Sequence, residues 1–220
     1  IIAVSVYTLF NVFQAETKKA KITSGAITVA LWACAAALYM RMPGTVNIQP
    51  SDFQQFNPFY VVALTPVSLA IFSALAKKGK EPSAPRKIGL GMLVAAAGFL
   101  ILTLASFGLQ SPKALGGTVS PDLVSPTWLI STYLVLTFAE LLLSPMGISF
   151  VSKVAPPKYK GMMMGGWFAA TAIGNYLVTV PGLLWMKIPL WSIWVVLITI
   201  CVLAGIFMFA NMKRIESATE

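Results

Sequence analysis

Seven runs of mainly apolar residues, separated by short polar stretches, constrain the fold of this chain. Of its 220 residues, 57% are hydrophobic and only 10% are charged, whereas a soluble domain carries about 25% charged residues. A helix needs roughly 20 apolar residues to cross the hydrocarbon core, and the runs lack the alternation of a membrane barrel. The sequence therefore predicts an all-α membrane protein. The runs cover about residues 1–14 (a short one), 22–40, 57–76, 88–109, 126–154, 158–186 and 189–212.

The distribution of basic residues predicts the orientation of these segments. Of the 16 Lys and Arg residues, 13 lie in alternate connections on one side and only 3 on the other. Cations concentrate in cytoplasmic loops, so we expect seven spans with a cytoplasmic C-terminus. The net charge of +9 then reflects membrane topology, and no nucleic-acid partner is expected. The 13 residues are Lys18, Lys19, Lys21, Lys77, Lys78, Lys80, Arg86, Lys87, Lys153, Lys158, Lys160, Lys213 and Arg214.

Glu140 is the only acidic residue with apolar sequence on both sides. A charged group at the centre of a bilayer costs about 2.5–3.5 kcal/mol or more. On a helix, Glu140 shares one face with Tyr133, Thr137, Ser144 and Gly147, while the opposite flank is apolar. We therefore expect this polar stripe to face a water-filled cavity or another helix. A structural hydrogen bond between helices and a titrating or ligand-binding acid both fit the pattern.

No Lys or Arg lies at the depth of Glu140, because every cation falls in a loop or at the end of a segment. The group that balances the carboxylate is therefore expected to be water, a ligand, or a residue on a part of the protein outside this sequence. The chain also opens inside an apolar run at Ile1, which suggests that the functional unit is incomplete.

Other residues in the apolar runs have both a structural and a functional interpretation. Trp167 and Phe168 fit either helix packing or the aromatic wall of a binding cavity. Asn57 precedes a proline, so we expect an extended or helix-capping residue that could also bind a carboxylate or amide. Pro145 fits a helix kink. Glycines in two of the runs fit close helix approach; they are Gly89, Gly91, Gly161, Gly165 and Gly166.

An enzymatic function is not expected. The sequence contains no histidine and shows no nucleophile–base arrangement, no paired carboxylates, no metal-ligand cluster and no phosphate-binding glycine loop. Neither a metal nor a cofactor is expected.

Two stretches resemble the proton-dependent oligopeptide transporters of the major facilitator superfamily. FAELLLSPMGISFVSKVAP followed by MMMGGWFAATAIGNYL, within 138–177, is similar to the signature of these peptide transporters. FQQFNPFYVVALTPV, at 53–67, resembles the start of the second helix of their C-terminal bundle. The resemblance covers roughly residues 53–213.

This resemblance implies the C-terminal helical bundle of a proton-coupled symporter of di- and tripeptides in the bacterial inner membrane. The peptide would lie between this bundle and an N-terminal bundle that the sequence lacks. Glu140 would couple protons and, with Ser144, line the pocket of the peptide amino group. Trp167 and Phe168 would shape side-chain subsites, and Asn57 would lie near the peptide backbone or carboxylate. Pro145 and Gly147 would let an inner gate bend.

The sequence departs from the family pattern at two places. The Glu-x-x-Glu-Arg motif of the family's first helix is absent, which fits a missing N-terminal half. Residues 22–40 lack the aromatic-rich stretch of the first helix of the C-terminal bundle. We therefore expect residues 1–46 to form one or two helices, either lateral or the first of the bundle. Residues 47–214 would form the transmembrane bundle and residues 215–220 a cytoplasmic tail.

Two alternatives stay open at this point. The chain could belong to a major facilitator transporter of another small solute, such as nitrate or a drug. It could also be a membrane receptor or structural subunit that does not transport, in which case Glu140 would pair permanently.

Overall fold

The structure is a computed structural model that describes residues 2–15, 17–41, 49–116, 120–185 and 187–217. Within these ranges the regular elements are all helical, as the sequence predicts. The chain divides into two compact units, Ile1–Glu81 and Pro82–Glu220. The α-helices are α1 (Ile2–Gln14), α2 (Lys18–Arg41), α3 (Phe56–Lys77), α4 (Ala84–Ala105), α5 (Pro112–Leu115), α6 (Thr127–Val154), α7 (Lys160–Leu177), α8 (Thr179–Leu184), α9 (Leu190–Ala210) and α10 (Met212–Ser217).

Six stretches of the described chain are long and apolar enough to cross a membrane. They correspond to α2, α3 with the 3₁₀ turn before it, α4, α6, α7 with α8, and α9. Six of the seven predicted spans are therefore confirmed as candidates. The first predicted segment corresponds to α1, whose 13 residues are fewer than the roughly 20 that cross the hydrocarbon core, so this span stays a prediction.

In the first unit, α1 packs against both α2 and α3. The Thr28 hydroxyl donates a 2.8 Å hydrogen bond to the Thr8 hydroxyl across α1 and α2, and a Cβ on Gly25 would touch Val12. Residue numbers rise on one helix as they fall on the other, so the two helices are antiparallel. This partly buried pair of hydroxyls satisfies its polar groups within the chain, as an apolar environment requires.

Local chemistry sets the end of α3. Gly79 adopts a left-handed conformation with φ 63°, which glycine reaches without a steric penalty. The Gly79 amide donates to the Ala76 carbonyl and the Lys80 amide to the Leu75 carbonyl. These two bonds form the glycine-terminated helix cap known as a Schellman motif, so the chain leaves the helix immediately before the basic loop.

In the second unit, α4 is the central helix and packs against α6 and α9. A Cβ at Gly91 would lie 3.1 Å from the Ala139 carbonyl oxygen and from Leu142 Cβ. A Cβ at Gly98 would meet the Leu136 side chain. The absence of side chains at these two positions lets the backbones of α4 and α6 approach closely, as small residues do in membrane helix pairs. Position 91 of α4 lies against 139–142 of α6, and position 98 lies against 136. Residue numbers rise along α4 as they fall along α6, so the two helices are antiparallel.

The same helix approaches α9 through another pair of glycines. A Cβ on Gly89 would lie 3.1 Å from the Phe209 ring, and one on Gly205 would lie 3.1 Å from Leu93. At the other end, the Trp194 indole N–H donates a 2.9 Å hydrogen bond to the Ser106 hydroxyl. Contacts at both ends of α4 therefore fix the register of α9 along it.

The glycines of α7 differ from those of α4. A Cβ added at Gly161, Gly165 or Gly166 would meet no neighbouring side chain or helix of the described chain within 4 Å. The stretch containing α7 and α8 also has no buried residue in the described chain. The predicted close approach is thus observed for Gly89 and Gly91 and not for the glycines of α7.

The short helix α10 docks at the end of the second unit where most of its cations lie. Glu216 accepts a hydrogen bond from the Ser83 hydroxyl at 2.5 Å. The Arg86 guanidinium binds both oxygens of the same carboxylate, at 2.8 Å and 3.1 Å. We name these three residues the α10 clasp. The Ser83 hydrogen bond, followed by the bonds from Arg86, lowers the pKa of Glu216. The predicted tail, 215–220, therefore begins inside a docked helix.

We expect Gly91→Leu to separate α4 from α6, because a side chain at this position would press against the backbone of α6. Overpacking of this kind costs about 1–3 kcal/mol. Thermal unfolding of the purified protein in detergent measures the loss. Ala97→Leu is the matched control, because Ala97 lies on the exposed side of the same helix. Equal losses in both variants would contradict the close approach.

The α10 clasp predicts that docking of α10 depends on pH. The pKa of Glu216 is lower in the docked state, so its contribution is present above the undocked pKa of about 4.3 and is lost as pH falls through the docked pKa. The protection factors of the α10 amides, which are corrected for the intrinsic exchange rate at each pH, should be high at pH 7 and fall in acid.

Two variants separate the clasp from general acid damage. Glu216→Gln should show low protection of the α10 amides at every pH, and Ser83→Ala should move the acid transition to higher pH. Ser217→Ala serves as the control, since its hydroxyl bonds only within α10. If Glu216→Gln retained the wild-type pH profile, the clasp would not be the cause.

Candidate functional site

The packing of α6 on α4 determines where Glu140 points. Ala139 and Leu142 are buried and both lie against Gly91 of α4. Glu140 and Ser144 are four residues apart, one turn along the helix, and both are exposed. The apolar flank of α6 is therefore used for packing within the unit, and the acid and the hydroxyl are left on its surface.

The predicted polar stripe is not uniform. Thr137 is fully buried, with 0% exposure, and Gly147 is also buried, whereas Glu140 and Ser144 between them are exposed. Glu140 also takes part in a hydrogen-bonding or electrostatic interaction within the chain. At least one group that interacts with Glu140 therefore belongs to this chain. The distribution of cations predicts instead that its partner is water, a ligand or a residue outside this sequence.

Gly147 of α6 lies in close contact with Trp167 of α7. A Cβ on Gly147 would collide with the six-membered ring of the Trp167 indole, so only glycine leaves room for the ring. Pro145 lies two residues earlier and is exposed, and α6 continues helically through it to Val154. Of the two residues predicted to let a gate bend, Gly147 therefore contacts α7 directly, and Pro145 lies two residues before this contact.

Trp167 and Phe168, the two aromatic residues of α7 predicted to bind substrate, differ in their exposure. Trp167 is half-buried, while the Phe168 side chain is 57% exposed. The Thr171 hydroxyl donates to the Trp167 carbonyl oxygen at 3.0 Å, so it satisfies the backbone of its own helix. The two neighbouring aromatic residues are therefore split, with one packed on α6 and one on the surface.

Asn57 lies in the first unit, and its predicted role as an extended or capping residue is wrong. It is the second residue of α3, whose cap is Gln55. The 3₁₀ turn Pro50–Gln55 leads directly into the helix, and Pro58 sits in the first turn, where its missing N–H is not needed. This arrangement overrides the tendency of a residue before proline to avoid helical geometry. Asn57 is half-buried and has an interaction within the chain.

A groove at the basic end of the second unit was not predicted from the sequence. It has a volume of about 600 Å³ and an almost wholly apolar lining, including Ile88, Leu143, Phe150, Trp167 and Phe207. Two polar residues, Asn211 and Arg214, complete it. The spacing of Phe207, Asn211 and Arg214 by four and three residues is the signal that could have placed them on one face.

The charged groups of the described chain do not assemble a metal site. No three Cys, Asp or Glu side chains among the described residues approach one another closely enough to hold a metal ion. What the unit does present is a carboxylate and a hydroxyl on the surface of α6, beside a helix attached through a tryptophan.

Comparison with solved structures supports the fold. A crystal structure of the peptide transporter POT in complex with sulfate matches 99% of this chain and 39% of its own, with a TM-score of 0.61 and 24% identity. A crystal structure of a POT family transporter in complex with a thioalcohol-conjugated peptide matches 97% of this chain and 40% of its own, with a TM-score of 0.58 and 21% identity. The arrangement of helices in this chain is thus similar to that in part of these two structures.

Comparison of sequences gives the family. The chain is 39% identical over 123 residues to peptide transporter YePEPT of Yersinia enterocolitica subsp. palearctica, covering 56% of this chain and 23% of that protein. It is 31% identical over 203 residues to dipeptide and tripeptide permease B of Edwardsiella piscicida, covering 81% of this chain and 40% of that protein. The chain thus spans 23% and 40% of the lengths of these two relatives.

A profile of one protein family covers most of the sequence. It is described as PTR2, POT family, and matches residues 23–189. This range contains both stretches on which the resemblance to oligopeptide transporters rests. The chain therefore belongs to the POT family.

Proposed function

We propose that this chain is the C-terminal part of a proton-coupled symporter of di- and tripeptides. The observation that carries the proposal is Glu140, an acid within a candidate span, exposed on the surface of α6 that packing on α4 leaves open. Ionisable groups inside membrane spans are typical of proton and substrate pathways. The POT family is one of transporters, not enzymes, and relatives are named as permeases of dipeptides and tripeptides.

The mechanism follows from the position of this acid. The bundle would rock against a second bundle around a site near the midplane, as in related transporters with repeated halves. Glu140 and Ser144 would meet the peptide amino group, and Trp167 and Phe168 its side chains. Asn57 would lie near the peptide backbone or carboxylate. Protonation of Glu140 removes its charge, weakens its attraction to a cation opposite, and so shifts the equilibrium between the two states.

The charge distribution in the second unit supports a cytoplasmic C-terminus. Seven of the nine Lys and Arg residues after position 81 lie at one end of the unit, together with α10. Lys113 and Lys187 lie at the other end. Because cations favour the cytoplasmic side, we place α10 in the cytoplasm of a bacterium and the spans in its inner membrane; the permease to which the chain is similar is also from a bacterium.

Glu140→Gln tests the coupling role in the complete transporter. It removes the charge and keeps the shape, so uptake of a labelled dipeptide driven by a pH gradient should fall by at least about tenfold, the effect of losing about 1.4 kcal/mol. Exchange of peptide without a gradient should be retained. Uptake into proteoliposomes measures both.

The control is Asp122→Asn, since Asp122 is an exposed acid outside the spans. Wild-type accumulation by Glu140→Gln would refute the coupling role. If unlabelled dipeptides failed to compete, the substrate would be another solute, such as nitrate or a drug. If the variant lost thermal stability without any change in transport, Glu140 would be a structural group of a receptor or subunit.

Gly147→Ala tests whether the Trp167 contact holds the proposed gate. The added methyl would occupy the place of the indole, so we expect lower thermal stability and slower peptide uptake. Trp167→Ala makes room for the methyl, and in that background Gly147→Ala should have little further effect on stability. Such non-additivity is typical of residues in direct contact.

Gly161→Ala provides the comparison, because the space around Gly161 is open and alanine favours the helix. It should leave stability and uptake at wild-type values or slightly above. Additive losses from Gly147→Ala and Trp167→Ala would show that the indole does not depend on this glycine.

A further inference from the structure

We propose that the groove at the basic end of the second unit binds an anionic phospholipid of the cytoplasmic leaflet. The acyl chain would lie in the apolar part of the groove, and the phosphate would meet Arg214. The proposal rests on the membrane orientation given above, and it is independent of which solute is transported.

The lining fits a hydrocarbon chain. Ile88 comes from α4, Leu143 and Phe150 from α6, and Phe207 and Met208 from α9. The volume of about 600 Å³ falls within the range of roughly 300–1,000 Å³ that is usual for small-molecule pockets. Moving an acyl chain from the bilayer interior into this apolar groove changes its free energy little, because both surroundings are hydrocarbon-like. Selectivity among lipids therefore depends on the head group.

The polar part of the lining lies at one end of a continuous helical face. Phe207 and Met208 belong to the last turn of α9, and Arg214 and Ile215 to α10. The break between the two helices falls at Asn211, whose side-chain amide donates to the Phe207 carbonyl at 2.9 Å. Along this face, apolar residues are followed by polar residues toward the membrane surface. The apolar part matches the acyl chain of a lipid, and the polar part matches its head group.

The charge of this rim is complementary to an anion. Arg86 is held by Glu216 in the α10 clasp, whereas Arg214 is exposed and forms no ion pair with the described residues. Lys153 and Lys213 are exposed at the same end. Basic pockets between membrane helices on the cytoplasmic side are suited to anionic head groups, and each nearby cation adds an attraction to the anionic leaflet.

The α10 clasp positions the rim. Glu216 lies two residues after Arg214, and its bonds to Ser83 and Arg86 dock α10 against the start of α4. Arg214 thereby lines the same groove as Pro85 and Ile88 of α4. Arg86 thus serves to seat α10, and Arg214 is left to meet the ligand.

Lipid retention by the complete transporter tests the proposal. The protein is purified in mild detergent, incubated with equal amounts of phosphatidylglycerol and phosphatidylcholine, and analysed by native mass spectrometry. Wild type should retain phosphatidylglycerol preferentially. Arg214→Gln should reduce that retention by about fivefold, the effect expected for one cation near the membrane surface.

Lys213→Gln is the matched control, because it removes the neighbouring charge of α10 without altering the groove lining. It should reduce retention of phosphatidylglycerol less than Arg214→Gln does, because Lys213 is not among the residues that line the groove. Met208→Trp fills the groove while keeping Arg214, and should reduce retention as well. Soluble glycerol phosphate should not compete, because it lacks the acyl chain.

Three results would overturn the proposal: equal retention of the two lipids, wild-type retention by Arg214→Gln, or equal losses in Arg214→Gln and Lys213→Gln. Each variant is first checked for wild-type thermal unfolding, and Arg214→Lys, which keeps the charge, should recover much of the retention. Peptide uptake is not a readout here, so a failure of the proposed transport activity leaves the lipid result unchanged.

Discussion

The close approach of α4 to its two neighbours is the constraint on which the second unit depends. Gly91 admits the backbone of α6, and Gly89 and Gly205 admit the side chains that join α4 to α9. In a membrane, apolar side chains gain little by leaving lipid, so helices associate through close packing and buried polar contacts. The rotation of α6 that this packing requires also decides which of its residues remain on the surface. Gly91 of α4 thus determines the orientation of α6, and this orientation leaves Glu140 on the surface of the unit.

Much of this arrangement can be read from the sequence, because hydropathy and charge act locally. The six long segments, the alternation of cations, and the separation of Glu140 from the apolar flank of α6 all follow from residues within one helix. Asn57 shows the limit of local reasoning: its proline neighbour predicts a cap, while the 3₁₀ turn before it extends the helix past that point.

Contacts between distant segments are the part that the sequence does not reveal. Ser83 and Glu216 are 133 residues apart, and neither stands out from the polar residues around it. Gly147 is predicted as a flexible point, yet its observed neighbour is the Trp167 ring. A glycine pattern alone does not distinguish a hinge from a space that another side chain occupies. The glycines of α7 illustrate the same ambiguity, since their surroundings within the described chain are open.

The weak attachment of α7 has a consequence for how such a protein is made. The stretch containing α7 and α8 has the lowest mean hydropathy of the six candidate spans and the smallest buried share. A segment of this kind gains least from partitioning into lipid by itself and least from neighbours in its own unit. During synthesis its insertion therefore depends most on helices that are already in the bilayer, and Trp167 is the residue by which α6, completed just before it, can retain it. Substitutions in α7 are then expected to affect the yield of correctly inserted protein before they affect its activity.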